Sequence, residues 1–299
     1  MKGNDGFYLM GYHVVCLIDV LGQKGKIRRW GDLPSNGQLT PDLIEALKQT
    51  VGVVLGFRDH FIEFFNLAAT CTMPAKLASL PAKERERYRR FKDCKLNVQR
   101  FSDTFVFYSL VPNAYGDASV VPLYRALGAC CMAMAASLSS KTPMRGAISI
   151  GPGMELEDRS FYGPALAEVH HLESEVAGYP RIVVSDAVRQ FLAQGQVYSE
   201  DTEIDNLMQR MAATCRSLLC IDTDRHLIVD FLGRGMRDLL GSGTHVPDAI
   251  RSAHEFVRAE AMRFRASGES KLASRYELLQ QYMAPRLPIW GLPQTDTSA

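Results

Sequence analysis

The segment from Tyr12 to Ile18 (YHVVCLI), apolar but for His13, ends on Asp19, and Val20, Leu21 and Gly22 follow it. The run is rich in β-branched and aromatic residues and too apolar for a surface helix, so it predicts a strand buried on both faces. A carboxylate at the end of such a strand costs desolvation free energy unless it is solvated, paired or bound to a cation. The rest of the chain must therefore supply Asp19 with water, a counter-ion or a metal.

The segment after Gly22 is polar and basic, and Gly31, Pro34 and Gly37 mark a loop. From Pro41 to Leu67 apolar residues recur at helical intervals behind Thr40 as N-cap, which predicts one long core helix. The basic stretch PAKERERYRRFKDCK reads as a solvated helix face, or else as a lid over phosphates. LNVQRFSDTFVFYSL is two β-rich runs joined by a tight turn that puts Asp103 at a hairpin tip. A helix over Val121–Ser139 and a strand over Met144–Ile150, closed by the turn Gly151-Pro152-Gly153, complete a βαββαβ order.

That order is the ferredoxin-like arrangement of the α+β class, which sets the end of the first strand beside the hairpin leading into the third. Asp19 and Asp103 are therefore expected to meet. Added C-terminal strands and helices follow: a helix from Gly163 to Val176, a strand from Arg181 to Val184, a helix after Asp186, a hairpin from Leu218 to Leu232, and helices over Pro247–Arg265 and Ser270–Met283. The expected organisation is a catalytic domain over residues 8–240, a helical extension over 241–285, and a flexible, proline-containing tail over 286–299.

Charge and cysteine content narrow the functions. Lysine plus arginine (34) nearly cancels aspartate plus glutamate (33), so no long-range field favours nucleic acid or an anionic membrane. Seven cysteines without a zinc-like spacing read as buried, reduced thiols, and the histidines are too scattered for a metal cage. Asp19 interrupts the N-terminal apolar run, and the later run Ala126–Leu138 is short for a bilayer span, so a cytoplasmic location is expected.

Two carboxylates brought together make a hard-oxygen site suited to magnesium or manganese, ions that also take phosphate oxygens. Taken singly, Asp19 reads as a turn cap and Asp103 as a hairpin residue. The pair, on those two elements, favours metal.

The motifs LIDVLGQK and RFSD are similar to those of class III nucleotide cyclases. More narrowly, RFSDTFVFY, MRGAISIG, FYGPALAEVHHLE and PRIVVSD, in that order, resemble the pyrimidine nucleotide cyclases of the bacterial Pycsar antiphage system, over about residues 10 to 190. The resemblance implies conversion of UTP, or less readily CTP, into a 3′,5′-cyclic monophosphate and pyrophosphate, a messenger that switches on an effector during phage infection. It also implies two Mn²⁺ or Mg²⁺ ions per site, held by Asp19, Asp103 and the Val20 carbonyl. Amides in the turn Leu21-Gly22-Gln23 would face the phosphates, and the resemblance implies a homodimer with its sites at the interface.

The chain departs from the family at several positions. Gln99, with Arg100 beside it, stands where purine cyclases read the base with lysine, so either becomes a base reader for uracil. Ala167 and His171 stand where those enzymes carry an asparagine and an arginine; Arg145 and His171, or the stretch at Arg89 and Arg90, are the replacement cations. An arginine opening a strand, like Arg145, is more often a surface ion pair. Tyr162 and Phe161 either stack on a base or fill core, and Glu168 and Glu173 either order a dimer or face water. Two other functions compete: another palm-like nucleotidyl enzyme, whose GGDEF-type hairpin is missing here, and an inactive cyclase-like dimerising sensor.

Overall fold

A computed structural model describes residues 10–30, 39–68, 77–114, 117–156, 160–194, 202–241 and 245–294. The apolar run forms β1 (Gly11–Val20), and residues 14 to 18 are buried on both of its faces. Antiparallel neighbours flank it: β3 (Thr104–Leu110) on one side and β6 (Met144–Glu155) on the other. Beyond β3 lies β2 (Asn97–Phe101). Beyond β6 come β8 (Ile182–Val184), β10 (Leu227–Val229) and β9 (Leu219–Ile221), so the sheet runs β2-β3-β1-β6-β8-β10-β9. A short β7 (Phe161–Tyr162) pairs with the far end of β6, and β4 (Asn113–Ala114) and β5 (Asp117–Ala118) form a separate ribbon. The fold is α+β, and its first four long strands interleave as a split βαβ pair.

The connection after β1 begins with a short helix, α1 (Gln23–Ile27), and a 3₁₀ turn at Arg28–Trp30, where a loop was expected. The loop residues Gly31, Pro34 and Gly37 lie outside the described residues. The expected long helix is two, α2 (Pro41–Leu47) and α3 (Val53–Ala68), joined by a π-turn over Lys48–Gly52. Thr40 caps α2 through the Leu43 amide, as the sequence predicts. The π-turn has a local cause: the Thr50 hydroxyl donates to the Ala46 carbonyl at 2.7 Å and accepts from the Trp30 indole at 3.2 Å, so a side chain intrudes on the helical ladder.

The basic stretch is α4 (Ala82–Lys92), and it is amphipathic rather than wholly solvated. Tyr88 and Phe91 are buried, and Arg87 makes a 2.8 Å ion pair with the buried Asp205 of α8 (Glu203–Ser217). Arg89 and Arg90 stay exposed beside Glu86, on the helix's own surface, so they are a solvated face and not a lid.

The helix α5 (Val121–Ser139) is apolar and long enough to cross a membrane, yet 83% of its most apolar window is buried in the fold. It lies between the sheet and the helices α3, α8 and α10 (Val246–Ala266). Phe57, Phe61 and Phe65 of α3 reach the sheet beside it, and Phe61 stacks on Phe107 of β3 at 3.9 Å. Six described cysteines are reduced, five of them buried; Cys71 lies outside the described residues.

β6 does not stop at Gly151-Pro152-Gly153, as the turn-like sequence suggested, but pairs with β1 through all three. Packing requires glycine at Gly153, where a Cβ would sit 2.2 Å from the Phe161 ring; a Cβ on Gly151 would make only ordinary contact with Ala165 at 3.4 Å. Ala165 belongs to α6 (Pro164–His171), which covers β1 and β6 from the face opposite α5 and continues into a π-turn over Leu172–Val176.

The C-terminal third adds α7 (Asp186–Gln194), α9 (Arg234–Leu240) and α11 (Ser270–Met283) to the helices already named. The extension over 241–285 is no appendage, because α10 packs directly on α5 and shares its core. Nor are residues 284–292 flexible. A 3₁₀ segment, Ala284–Trp290, buries Leu287 and Trp290, and the Trp290 indole donates to the Leu232 carbonyl at 2.9 Å. Residues 295–299 of the expected tail lie outside the described residues. Trp290→Ala is expected to lower stability by about 3–5 kcal/mol in urea unfolding, the usual loss for a buried tryptophan; an unchanged midpoint would mean the segment is not docked.

Candidate functional site at the end of the first strand

Residues directly opposite on neighbouring strands send their side chains to the same face. Asp19 faces Thr104 across one ladder and Arg145 across the other, so the strand register alone assembles these three side chains. The Thr104 hydroxyl donates to Asp19 Oδ1 at 3.0 Å. The Arg145 Nε lies 3.6 Å from Asp19 Oδ2 and 2.6 Å from Oε1 of Glu173, which the π-turn after α6 carries in from above the sheet. The Asp19 contact is too long and the Glu173 contact too poorly aligned for a good hydrogen bond, so Arg145 holds both carboxylates mainly by charge. Arg181, at the start of β8, donates to the Val176 carbonyl at 2.8 Å and so fixes the turn that presents Glu173.

The β2–β3 hairpin delivers the second aspartate. Its turn is two residues, Ser102 and Asp103, with Ser102 at a φ of 59° in the left-handed region. The Asp103 carbonyl accepts from the Val20 amide at 3.1 Å, which clamps the hairpin tip against the end of β1. Burial raises the Asp19 pKa above the ordinary carboxylate value. The Thr104 hydrogen bond opposes that rise, the nearby negative charge of Asp103 adds to it, and Arg145 opposes it. Glu173 is raised as well, by burial first, with Arg145 opposing and Asp19 reinforcing. A partly desolvated carboxylate with a second one on the adjoining hairpin tip is an environment a divalent cation relieves, and carboxylate oxygens are the donors magnesium and manganese take. Asp19 and Asp103 therefore fit a metal. Among the described residues no cluster of three or more His, Cys, Asp or Glu side chains is arranged as a metal cage, so any further ligands would be carbonyl, water or substrate oxygens.

Beside Asp103 opens a cleft of about 190 Å³, lined by Gln23, Trp30, Thr50, Val54, Arg100 and Ser102 among others. Gln23 is 1% exposed, and among the described residues neither its Oε1 nor its Nε2 has a partner. Leaving such groups unpaired costs about 1–3 kcal/mol each. A larger groove of about 390 Å³ between α3 and α5 has no carboxylate in its lining, which separates it from this chemistry.

The remaining expected residues fall into three groups. Arg100 lines the cleft, and Gln99 sits half-buried one position earlier on the edge strand. The Leu21 amide is already committed to the Pro143 carbonyl at 2.8 Å, so it is not the phosphate donor expected of it, while Val20 and Gly22 stand at the strand end as placed. His171 is exposed on α6, and Glu173, two residues on, is the side chain that enters the cluster. Tyr162 is 67% exposed and pairs with Met154, at the opposite end of β1. Eight residues of strand separate that end from Asp19, about 27 Å at strand rise, so Tyr162 does not reach the Asp19 site of its own chain. Phe161 is core, stacked on Tyr108 at 4.5 Å. Thr104, Glu173 and Gln23 are the site residues that sequence reasoning missed or left undecided.

No family model, curated protein or solved structure matches this chain. The site therefore rests on its own geometry. Arg145→Met, which leaves Asp19 and Glu173 facing each other uncompensated, is expected to cost about 1–3 kcal/mol. Glu173→Gln should cost less, because one guanidinium then serves one carboxylate. Urea unfolding of both variants checks the order, and equal or reversed losses would contradict the charge network.

Proposed function

We propose that the chain is a metal-dependent pyrimidine nucleotide cyclase, converting UTP, and less readily CTP, into the 3′,5′-cyclic monophosphate and pyrophosphate. One observation carries the reading: the Asp103 carbonyl accepts from the Val20 amide at 3.1 Å, which sets the hairpin tip carrying Asp103 against the end of β1 beside Asp19, 84 positions earlier (103 minus 19). The motifs LIDVLGQK and RFSD, the quartet of strings resembling the Pycsar cyclases, and the βαββαβ order with β1 between β3 and β6 support it.

Bound Mn²⁺ or Mg²⁺ would supply charge neutralisation on the triphosphate and acidify the ribose 3′-hydroxyl. The chain's own residues do the positioning. Thr104 fixes the rotamer of Asp19 through its hydrogen bond, and the Val20 amide holds the hairpin tip, and with it Asp103, against the end of β1. Arg145 places a permanent positive charge next to the carboxylates, where negative charge develops on the leaving pyrophosphate. In this reading the protein acts in the cytoplasm as a homodimer, and its cyclic nucleotide reaches a separate effector.

A second reading, an inactive cyclase-like dimerising sensor, has one observation in its favour. Arg145 already neutralises Asp19 and Glu173, which gives those carboxylates a structural role without any metal. The two readings separate on product. Incubation of the purified chain with each of the four nucleoside triphosphates and Mn²⁺ is expected to yield a cyclic pyrimidine monophosphate. Asp19→Asn and Asp103→Ala should each reduce it by at least about 100-fold while leaving the circular dichroism spectrum unchanged. Product from either variant at the wild-type rate would remove the metal assignment, and none from the wild type would favour the sensor.

A further inference from the structure

Gln23 poses a question that the carboxylates do not answer. A carboxamide carries two donors and two acceptor lone pairs, and burying it without partners is expensive enough that such groups in folded proteins nearly always find one. Here both polar atoms of Gln23 are buried and unpartnered among the described residues, and the residue lines the cleft that opens beside Asp103. The Trp30 indole is held in place by its bond to Thr50, Ile27 and Val54 supply apolar wall, and Arg100 stands on the hairpin side with donors only. At about 190 Å³ it lies below the ~300–1,000 Å³ of pockets for drug-sized ligands, which suits a single ring.

We infer that Gln23 is the base-reading residue of this site: its carboxamide pairs with the –CO–NH– edge of a uracil-type ring seated in the cleft of the same chain that carries Asp19 and Asp103. This deepens the cyclase reading and rests on it for the nature of the rest of the ligand. The chemistry selects the ring. A phosphate offers only acceptors and would satisfy the Gln23 Nε2 while leaving Oε1 orphaned. A uracil-type edge offers a donor and an acceptor side by side, so both Gln23 atoms are paired at once. Its second carbonyl is left for a cationic donor, the role Arg100 fills; cytosine offers the same two pairings to a carboxamide turned over and also leaves a carbonyl, so Gln23 reads a pyrimidine edge without by itself separating uracil from cytosine. Both amide atoms are closed off from solvent, so pairing requires the Gln23 side chain to turn into the cleft; the base then sits deep in the cleft, the sugar and phosphates lie toward Asp103, and the reading group comes from the same chain as the metal carboxylates, not from the partner subunit that the family resemblance would assign.

The test uses the full-length protein, without metal, titrated by calorimetry or NMR with uridine and with 3-methyluridine, whose ring N–H is blocked. Wild type is expected to bind uridine at least tenfold more tightly than 3-methyluridine. Gln23→Leu is expected to bind uridine at least tenfold more weakly and to lose the distinction between the two nucleosides. The same variant should melt at or above the wild-type temperature, because it removes a buried unpaired amide; that separates lost recognition from lost folding. A Gln23→Leu protein that folds and still prefers uridine overturns the inference, as does a wild type that binds neither nucleoside. Uridine discrimination without cyclic product would leave the Gln23 assignment standing and remove the cyclase reading, whereas cyclic product with unaltered uridine preference in Gln23→Leu would do the reverse.

Discussion

The structure depends on β1 being paired along both edges at once. Because β3 and β6 each lie in register with it, the end of β1 becomes the one place where a threonine, an arginine and a hairpin tip converge on the same aspartate. The burial that makes Asp19 costly is produced by the same packing that supplies its partners. α5 and α3 close one face of the sheet and α6 closes the other, so the strand is dry along its length and polar only where it ends. A carboxylate there is held by Thr104 and Arg145, opposed by Asp103 and disfavoured by desolvation, a balance that a bound cation would tip toward full ionisation.

Much of this was legible in the residues, and the reasons are specific. The seven-position run from Tyr12 to Ile18 has no alternation, which only a doubly covered strand tolerates. The hairpin around Ser102 and Asp103 shows two β-rich runs with too few residues between them for anything but a tight turn. Thr40 caps its helix as its position before Pro41 predicts. What escaped are features that depend on tertiary neighbours. Gly151-Pro152-Gly153 carries a strong turn signal, and only the Phe161 ring against β6 explains why Gly153 belongs inside a strand. The π-turn at Lys48–Gly52 needs Trp30 beside Thr50, a contact across 20 positions. α8 went unread although Ile204, Leu207, Met208, Met211 and Cys215 follow helical spacing behind the Thr202 cap. The C-terminal prolines signalled an extended tail, but the tryptophan among them carries enough apolar surface to dock the segment.

The site divides the same way. Asp19 and Asp103 could be paired from chain order alone, since strand topology fixes where the ends of strands lie. Glu173 and Arg145 could not be paired, because the π-turn that rotates Glu173 inward has no sequence signature. Tyr162 looked close to the chemistry as a neighbour of the Gly163 motif, yet it stands at the far end of the strand from Asp19. Gln23 is legible only as a backbone amide in the turn after β1: its side chain, a glutamine after a glycine, is ordinary until its burial and its missing partners are known.

The central claim is that Asp19 and Asp103 together bind a divalent cation, and electron paramagnetic resonance of Mn²⁺ tests it most directly. In the presence of a non-cyclisable UTP analogue, wild-type protein should remove Mn²⁺ from the free-ion signal saturably, and Asp19→Asn should lose that binding while remaining folded. Identical Mn²⁺ uptake by the two proteins, or none by the wild type, would contradict the account.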